Sequence, residues 1–232
     1  MLKKLLSADK TEKSKGKILW VFVLSLSAIG IFILSSYIAS RICREYYGIA
    51  VGISLMIIAV PFHLLGKKIP ALYLVSYLLN SIGNGFSVSA YYVFREMKVS
   101  FFELFASAIP AAACLLIVYL LLGRLGKSKT FTMVIAAVSD LALIVLAIVY
   151  WIIKGVPSFG FFSLLIALFY ICVFGITVNN DGRPYLRDVS FGSFGTFIIL
   201  TVVVIVIISE GDAFDGFDLD IGSGNKKKQK KK

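Results

Sequence analysis

The sequence has few charged residues, a single histidine and no pair of cysteines at the CxxC spacing typical of metal sites. Asp, Glu, Lys and Arg make up 16% of its 232 residues, whereas soluble domains carry about 25% charged residues. A soluble globular domain is therefore excluded. The three cysteines form no CxxC pair, so the sequence predicts neither a zinc site nor a disulfide framework.

The motifs of common membrane and nucleotide enzymes are also missing. The sequence contains no HExxH, no P-loop GxxxxGK[ST] and no EF-hand loop. No apolar run has an interior lysine that would hold retinal as a Schiff base. Asp140 is the only aspartate well inside an apolar run, which excludes the aspartate pair of an intramembrane aspartyl protease. We therefore expect no enzyme and no cofactor.

Long apolar runs dominate the chain, of which 59% is hydrophobic, with a mean hydropathy of +0.90. A run of 18 or more apolar residues predicts a membrane-spanning helix, because the hydrocarbon core is about 30 Å thick. The loops between the runs are short, so neighbouring helices are expected to be antiparallel. The fold class is all-α, a polytopic integral membrane protein with a bundle of about seven transmembrane helices. The predicted spans are 18–40, 48–66, 70–94, 101–123, 131–153, 158–178 and 190–209.

Three regions follow from this pattern. Residues 1–17 form a basic cytoplasmic segment, residues 18–209 the transmembrane domain, and residues 210–232 a flexible tail that is first acidic and then lysine-rich. With the N-terminus inside, the inner segments carry 13 Lys and Arg and the outer loops 5, which agrees with the positive-inside rule. Seven spans then place the six tail lysines outside. The side of the C-terminus stays open, because a third run that does not fully cross would return the tail to the cytoplasm.

The third run carries a polar stripe. Its members follow one another at steps of 4, 3, 4, 3 and 4, which places them on one face of a helix. Such a face lines a solute path in a transporter, and it equally suits hydrogen bonding between helices. We give the helix predicted for the third run, residues 70–94, the label α3. We call these residues the α3 stripe: Tyr73, Tyr77, Asn80, Asn84, Ser87 and Tyr91.

Small residues predict close helix packing beside this stripe. Ser81, Gly85 and Ser89 recur at every fourth position, and Gly48 and Gly52 form a GxxxG at the start of the second run. Small residues at this spacing let two helix backbones approach each other. The sequence from Gly83 to Gly85 also permits a local break of the third helix, as found in transporters.

Two further positions carry ionisable groups. Asp140 lies mid-span in the fifth run, where it is expected to be neutral or paired, and to serve either ion coupling or helix association. His63 lies near the end of the second run and is expected at the membrane interface. Ser100 and Glu103 have the spacing of a helix capping box.

Three functions remain open. The favoured one is a small channel or transporter, or a subunit of one, with the α3 stripe and Asp140 along its path. The second is a non-catalytic accessory or assembly subunit, with a protein partner bound by the C-terminal tail or by the small-residue helix faces. The third is a membrane-embedded lipid-modifying enzyme. In each case the surroundings are a bilayer with anionic headgroups, expected to be the plasma membrane, and nucleic acid is not expected as a partner.

Overall fold

Seven α-helices make up the part of the chain that the computed structural model describes. The described residues are 14–43, 47–97, 100–125, 129–154, 158–179 and 184–209. This confirms the all-α prediction, with boundaries within five residues of the expected ones. The helices are α1 Ser14–Ile42, α2 Tyr47–Leu65, α3 Ala71–Phe94, α4 Phe101–Leu125, α5 Lys129–Lys154, α6 Phe159–Asn179 and α7 Tyr185–Ser209.

Helix α3 lies inside the bundle, although it is the most polar of the seven. The other six helices are long and apolar enough to cross a membrane. With 24 residues, α3 is about 36 Å long, which is long enough to reach across a hydrocarbon core about 30 Å thick. It packs mainly against α1, α2 and α7. Lipid offers no hydrogen-bond partners, so a polar helix is stable only when protein surrounds it.

Helix α3 is continuous from end to end. The residues from Gly83 to Gly85 are helical, so the alternative of a broken or re-entrant third segment is wrong. The backbone hydrogen bonds of an intact helix satisfy its amides without help from a cavity. The two glycines provide close packing at this point rather than an unwound turn.

Helices α1, α3 and α7 run parallel to one another. Contacts between α1 and α3 join Ser27 to Tyr77 and Ser36 to Gly85, so residue numbers rise together along both helices. The contacts between α3 and α7 rise together in the same way. Contacts of α2 with α3 run in opposite directions, as expected for a neighbour in an alternating bundle. Ser14 and Ser209 therefore lie at opposite ends of the bundle.

Close backbone contacts hold α3 against its neighbours. A Cβ on Gly48 of α2 would lie 2.5 Å from the Phe86 carbonyl oxygen and 3.0 Å from the Ser89 hydroxyl. A Cβ on Gly52 would overlap the Ser87 hydroxyl, and one on Gly85 would overlap Ser35 of α1. The small residues of α3 therefore pack against two different helices, Ser87 and Ser89 against α2 and Gly85 against α1. Other helices of the same chain thus occupy the space beside these residues.

Local hydrogen bonds fix the turn between α3 and α4. The Glu103 amide donates to the Ser100 hydroxyl at 3.2 Å, and the Ser100 amide donates to the Glu103 carboxylate at 3.3 Å, which confirms the capping box. At the end of α3, Glu96 has a φ of 53°. The Met97 amide then donates to the Tyr92 carbonyl at 2.9 Å, the 6→1 bond of a Schellman motif that usually contains glycine.

Helix α7 begins at Tyr185, five residues before the predicted start, and takes Asp188 into its first turn. An acid there is stabilised by the helix dipole. Asp188 is also 9% exposed, so it is not the loop residue that the apolar run implied. The basic segment before residue 14 and the tail after residue 209 lie outside the described residues.

Because Ser14 and Ser209 lie at opposite ends of the bundle, the two ends of the chain are predicted to lie on opposite sides of the membrane. With the three native cysteines replaced by alanine, Ser223→Cys should react with a membrane-impermeant thiol reagent in intact cells, and Ser7→Cys only after lysis. Labelling of Ser223→Cys only after lysis would contradict seven crossings with an inner N-terminus.

Two glycines test the packing of α3. A Cβ on Gly85 would lie 2.7 Å from the Ser36 amide nitrogen, whereas one on Gly30 would meet no atom within 4 Å. Gly85→Ala should lower stability by about 1–3 kcal/mol through overpacking. Gly30→Ala should leave it unchanged or raise it by up to about 1 kcal/mol through helix propensity. Thermal melting of the detergent-solubilised variants measures both, and equal shifts would contradict the packing.

Candidate functional site

The α3 stripe is buried along its whole length. Each of its six side chains is at most 4% exposed, so the face that the spacing predicted points into the bundle. From Tyr73 to Tyr91 there are 18 residue steps, so the stripe extends along about 27 Å of helix. That distance is most of the thickness of a bilayer's hydrocarbon core.

Tyr77 connects the stripe to α1. Its hydroxyl donates to the Leu24 carbonyl at 2.6 Å and lies 2.6 Å from the Ser27 hydroxyl. On the other side, Tyr77 and Ser81 lie near Tyr170 of α6. The Tyr77 side chain therefore lies between α1 and α6, and its hydroxyl is hydrogen-bonded to α1.

Polar side chains of α7 continue the stripe. The Asn80 amide nitrogen donates to the Ser193 hydroxyl at 3.4 Å, and the Thr201 hydroxyl donates to Ser87 at 3.2 Å. Asn84 lies between Asn80 and Ser87 on the same face of α3. We call Asn80, Asn84 and Ser87 with Ser193 and Thr201 the α3–α7 track.

The track extends to His63 at one end of the bundle. His63 Nδ1 lies 2.8 Å from the Ser190 hydroxyl, and the Ser193 hydroxyl donates to the Ser190 carbonyl at 2.7 Å. The rings of Tyr73 and Phe194 pack edge-on against the imidazole, with centroids 5.3 and 5.5 Å away. The His63 side chain therefore contacts α7, whereas the sequence predicted that it would lie at the membrane interface. Sequence reasoning missed Ser190, Ser193 and Thr201, because serine and threonine in an apolar helix usually bond to their own backbone.

Two amide oxygens in the track have no hydrogen-bond partner among the described residues. They are Asn80 Oδ1 and Asn84 Oδ1, on side chains that are 0% and 4% exposed. The two residues are one turn apart, with a backbone rise of about 6 Å between them. A buried acceptor without a donor costs about 1–3 kcal/mol, and the Ser76 hydroxyl of α3 is likewise buried without a partner among the described residues.

Asp140 lies elsewhere, between α5 and α6. The Cys172 thiol donates to Asp140 Oδ2 at 3.1 Å, and the other carboxyl oxygen has no partner in the described part of the chain. Tyr170 and Cys172 are two residues apart, about 200° around α6. Because Tyr170 is near Tyr77 and Cys172 touches Asp140, α6 separates Asp140 from the stripe. The structure does not bring these predicted path residues together.

A groove of about 320 Å³ opens beside Asp140, between α4, α5 and α6. Its walls are almost entirely apolar and include Cys114, Ser139, Leu143 and Ile171. Asp140 is not part of its lining, since it faces α6. The groove is therefore suited to hydrocarbon and offers no polar path.

The hydrogen bonds of Tyr77 are expected to stabilise the bundle. Tyr77→Phe should lower the free energy of unfolding by about 0.6–1.7 kcal/mol, the usual range for a bond between membrane helices. Tyr47→Phe is the matched control, since the Tyr47 ring is 66% exposed. Thermal melting in detergent measures the difference, and equal melting temperatures for the two variants would contradict the bonding described.

Comparison of the chain with models of known protein families, with curated proteins and with solved structures found no match. Function must therefore be argued from the site itself, from its geometry and the chemistry of its residues. The protein is a multi-pass membrane protein, and its described residues include six helices long and apolar enough to cross a membrane together with the more polar helix α3.

Proposed function

We propose that the protein moves a small polar solute or ion across the membrane, with the α3–α7 track as its path. The main observation behind this proposal is that two buried amide oxygens, Asn80 Oδ1 and Asn84 Oδ1, have no hydrogen-bond donor among the described residues. Polar groups inside a membrane protein usually face the bundle interior and mark substrate or ion pathways. A purely structural stripe would instead leave few acceptors without donors.

The position of the stripe supports this proposal. The α3 stripe extends for about 27 Å, and it is enclosed by α1, α2, α6 and α7 rather than exposed to lipid. Asp140 is not included in the path, because α6 lies between it and the stripe. We infer that its bond to Cys172 serves to associate α5 with α6.

The proposal includes a plasma-membrane location with the N-terminus in the cytoplasm. The distribution of Lys and Arg, 13 in the inner segments against 5 in the outer loops, supports this orientation. The six lysines of the tail then face the opposite side.

A second candidate is an accessory subunit of a membrane complex. Within their apolar windows, α2 and α5 have only 17% and 22% of residues buried. These two helices therefore offer wide apolar faces to lipid or to another protein. A partner would dock on these faces or on the tail, since Gly48, Gly52 and Gly85 already pack within the chain.

Flux through the purified protein in liposomes tests the first candidate. Vesicles should take up at least one of three probes: Rb⁺, chloride or glycerol. Asn80→Leu should reduce that uptake about tenfold, the effect of losing one hydrogen bond to a solute in its path. The control is Ser25→Ala, because the buried Ser25 hydroxyl bonds only to the Val21 carbonyl of its own helix.

Two results would contradict transport. One is uptake no higher than in empty vesicles for all three probes, with the protein shown to be folded by its cooperative melting. The other is an equal loss of uptake in Asn80→Leu and Ser25→Ala. A protein that carries no flux and co-purifies from native membranes with one stoichiometric partner would instead support the accessory subunit.

A further inference from the structure

The hydrogen bonds of the track fix which way the Asn80 amide points. The Ser193 hydroxyl donates its proton to the Ser190 carbonyl at 2.7 Å, so toward Asn80 it acts only as an acceptor. The Asn80 NH₂ group must then face Ser193, and its carbonyl oxygen faces away. If the amide nitrogen and oxygen of Asn80 were exchanged, its Oδ1 would face the Ser193 oxygen, and two acceptors would meet without a proton between them.

The unsatisfied amide atoms of the two asparagines are both oxygens, which are acceptors. Asn80 Oδ1 and Asn84 Oδ1 both lack a donor among the described residues, and both side chains are more than nine-tenths buried. A ligand between them must offer positive charge or hydrogen-bond donors. An anion offers neither.

We propose that Asn80 Oδ1 and Asn84 Oδ1 form a binding site for a monovalent cation. This inference rests on the proposed transport function and names its substrate class. Neutral carbonyl oxygens replace the hydration shell of such ions in channel filters. Two oxygens on residues one helical turn apart supply part of such a shell.

The lack of carboxylates in the α3 stripe favours a monovalent over a divalent cation. The α3 stripe contains amide, hydroxyl and phenol groups and no carboxylate. The nearest acid along α7 is Asp188, five residues before Ser193 and in the first turn of the helix. Divalent Ca²⁺ and Mg²⁺ are bound largely by carboxylates that balance their charge, and the stripe supplies none.

Cation-dependent melting tests the site without requiring flux. The full-length protein in neutral detergent should melt about 3–6 °C higher in KCl or NaCl than in choline chloride of equal ionic strength. This shift is expected at a salt concentration about tenfold above half-saturation.

Asn84→Leu is the informative variant, since leucine removes the unpaired oxygen at similar volume. It should abolish the difference between KCl and choline chloride, and in choline chloride it should melt no lower than the unchanged protein. Rb⁺ uptake should fall at least about tenfold. Ser25→Ala should keep the full cation effect.

Each outcome separates the cation site from transport. Identical melting in the three salts, with glycerol uptake intact, would overturn the cation site and leave the transport function standing. Cation-specific melting without any flux would support the site and contradict transport. An unchanged cation effect in Asn84→Leu would overturn the assignment to these two oxygens.

Discussion

The inability of lipid to form hydrogen bonds determines the architecture. Helix α3 contains two asparagines and several serines and tyrosines that no bilayer can satisfy. Surrounding it with α1, α2, α6 and α7 moves that polar surface into protein. The glycines follow from the same requirement, because hydrogen bonds such as Ser36 to the Gly85 carbonyl at 3.2 Å form only when backbones approach closely. The apolar helices α4 and α5 have no such requirement and remain at the periphery.

Helix α6 divides the molecule into two chemically different regions. On one face Tyr170 lies near Tyr77 of α3. On the opposite face Cys172 meets Asp140. A single helix can separate the two because residues 200° apart cannot face the same neighbour. The polar track and the carboxyl are therefore independent features, each with its own role.

The sequence predicts some of these features well and others not at all. Continuous apolar runs predict the helices, since their length is set by membrane thickness. The 4-3 spacing predicts that Tyr77, Asn80 and Ser87 share one buried face. The same periodicity does not say which helix a face will meet. For this reason His63 pairing with Ser190, 127 residues away, and the separation of Asp140 from the stripe were found only in the fold. Glu96 in a left-handed turn was equally unpredictable, since glycine is the residue expected there.

The parallel arrangement of α3 and α7 has a consequence for biosynthesis. About 90 residues separate the end of α3 at Phe94 from the start of α7 at Tyr185, so a ribosome needs roughly 5–18 s to reach α7 after completing α3. During that interval Asn80 and Ser87 lack their partners on α7, although the glycine contacts with α1 and α2 can already form. The nascent chain must therefore keep a marginally apolar helix in the membrane with two neighbours before the last one arrives. Premature termination within α7 would leave that polar face uncovered, because the α7 partners of Asn80 and Ser87 would be missing.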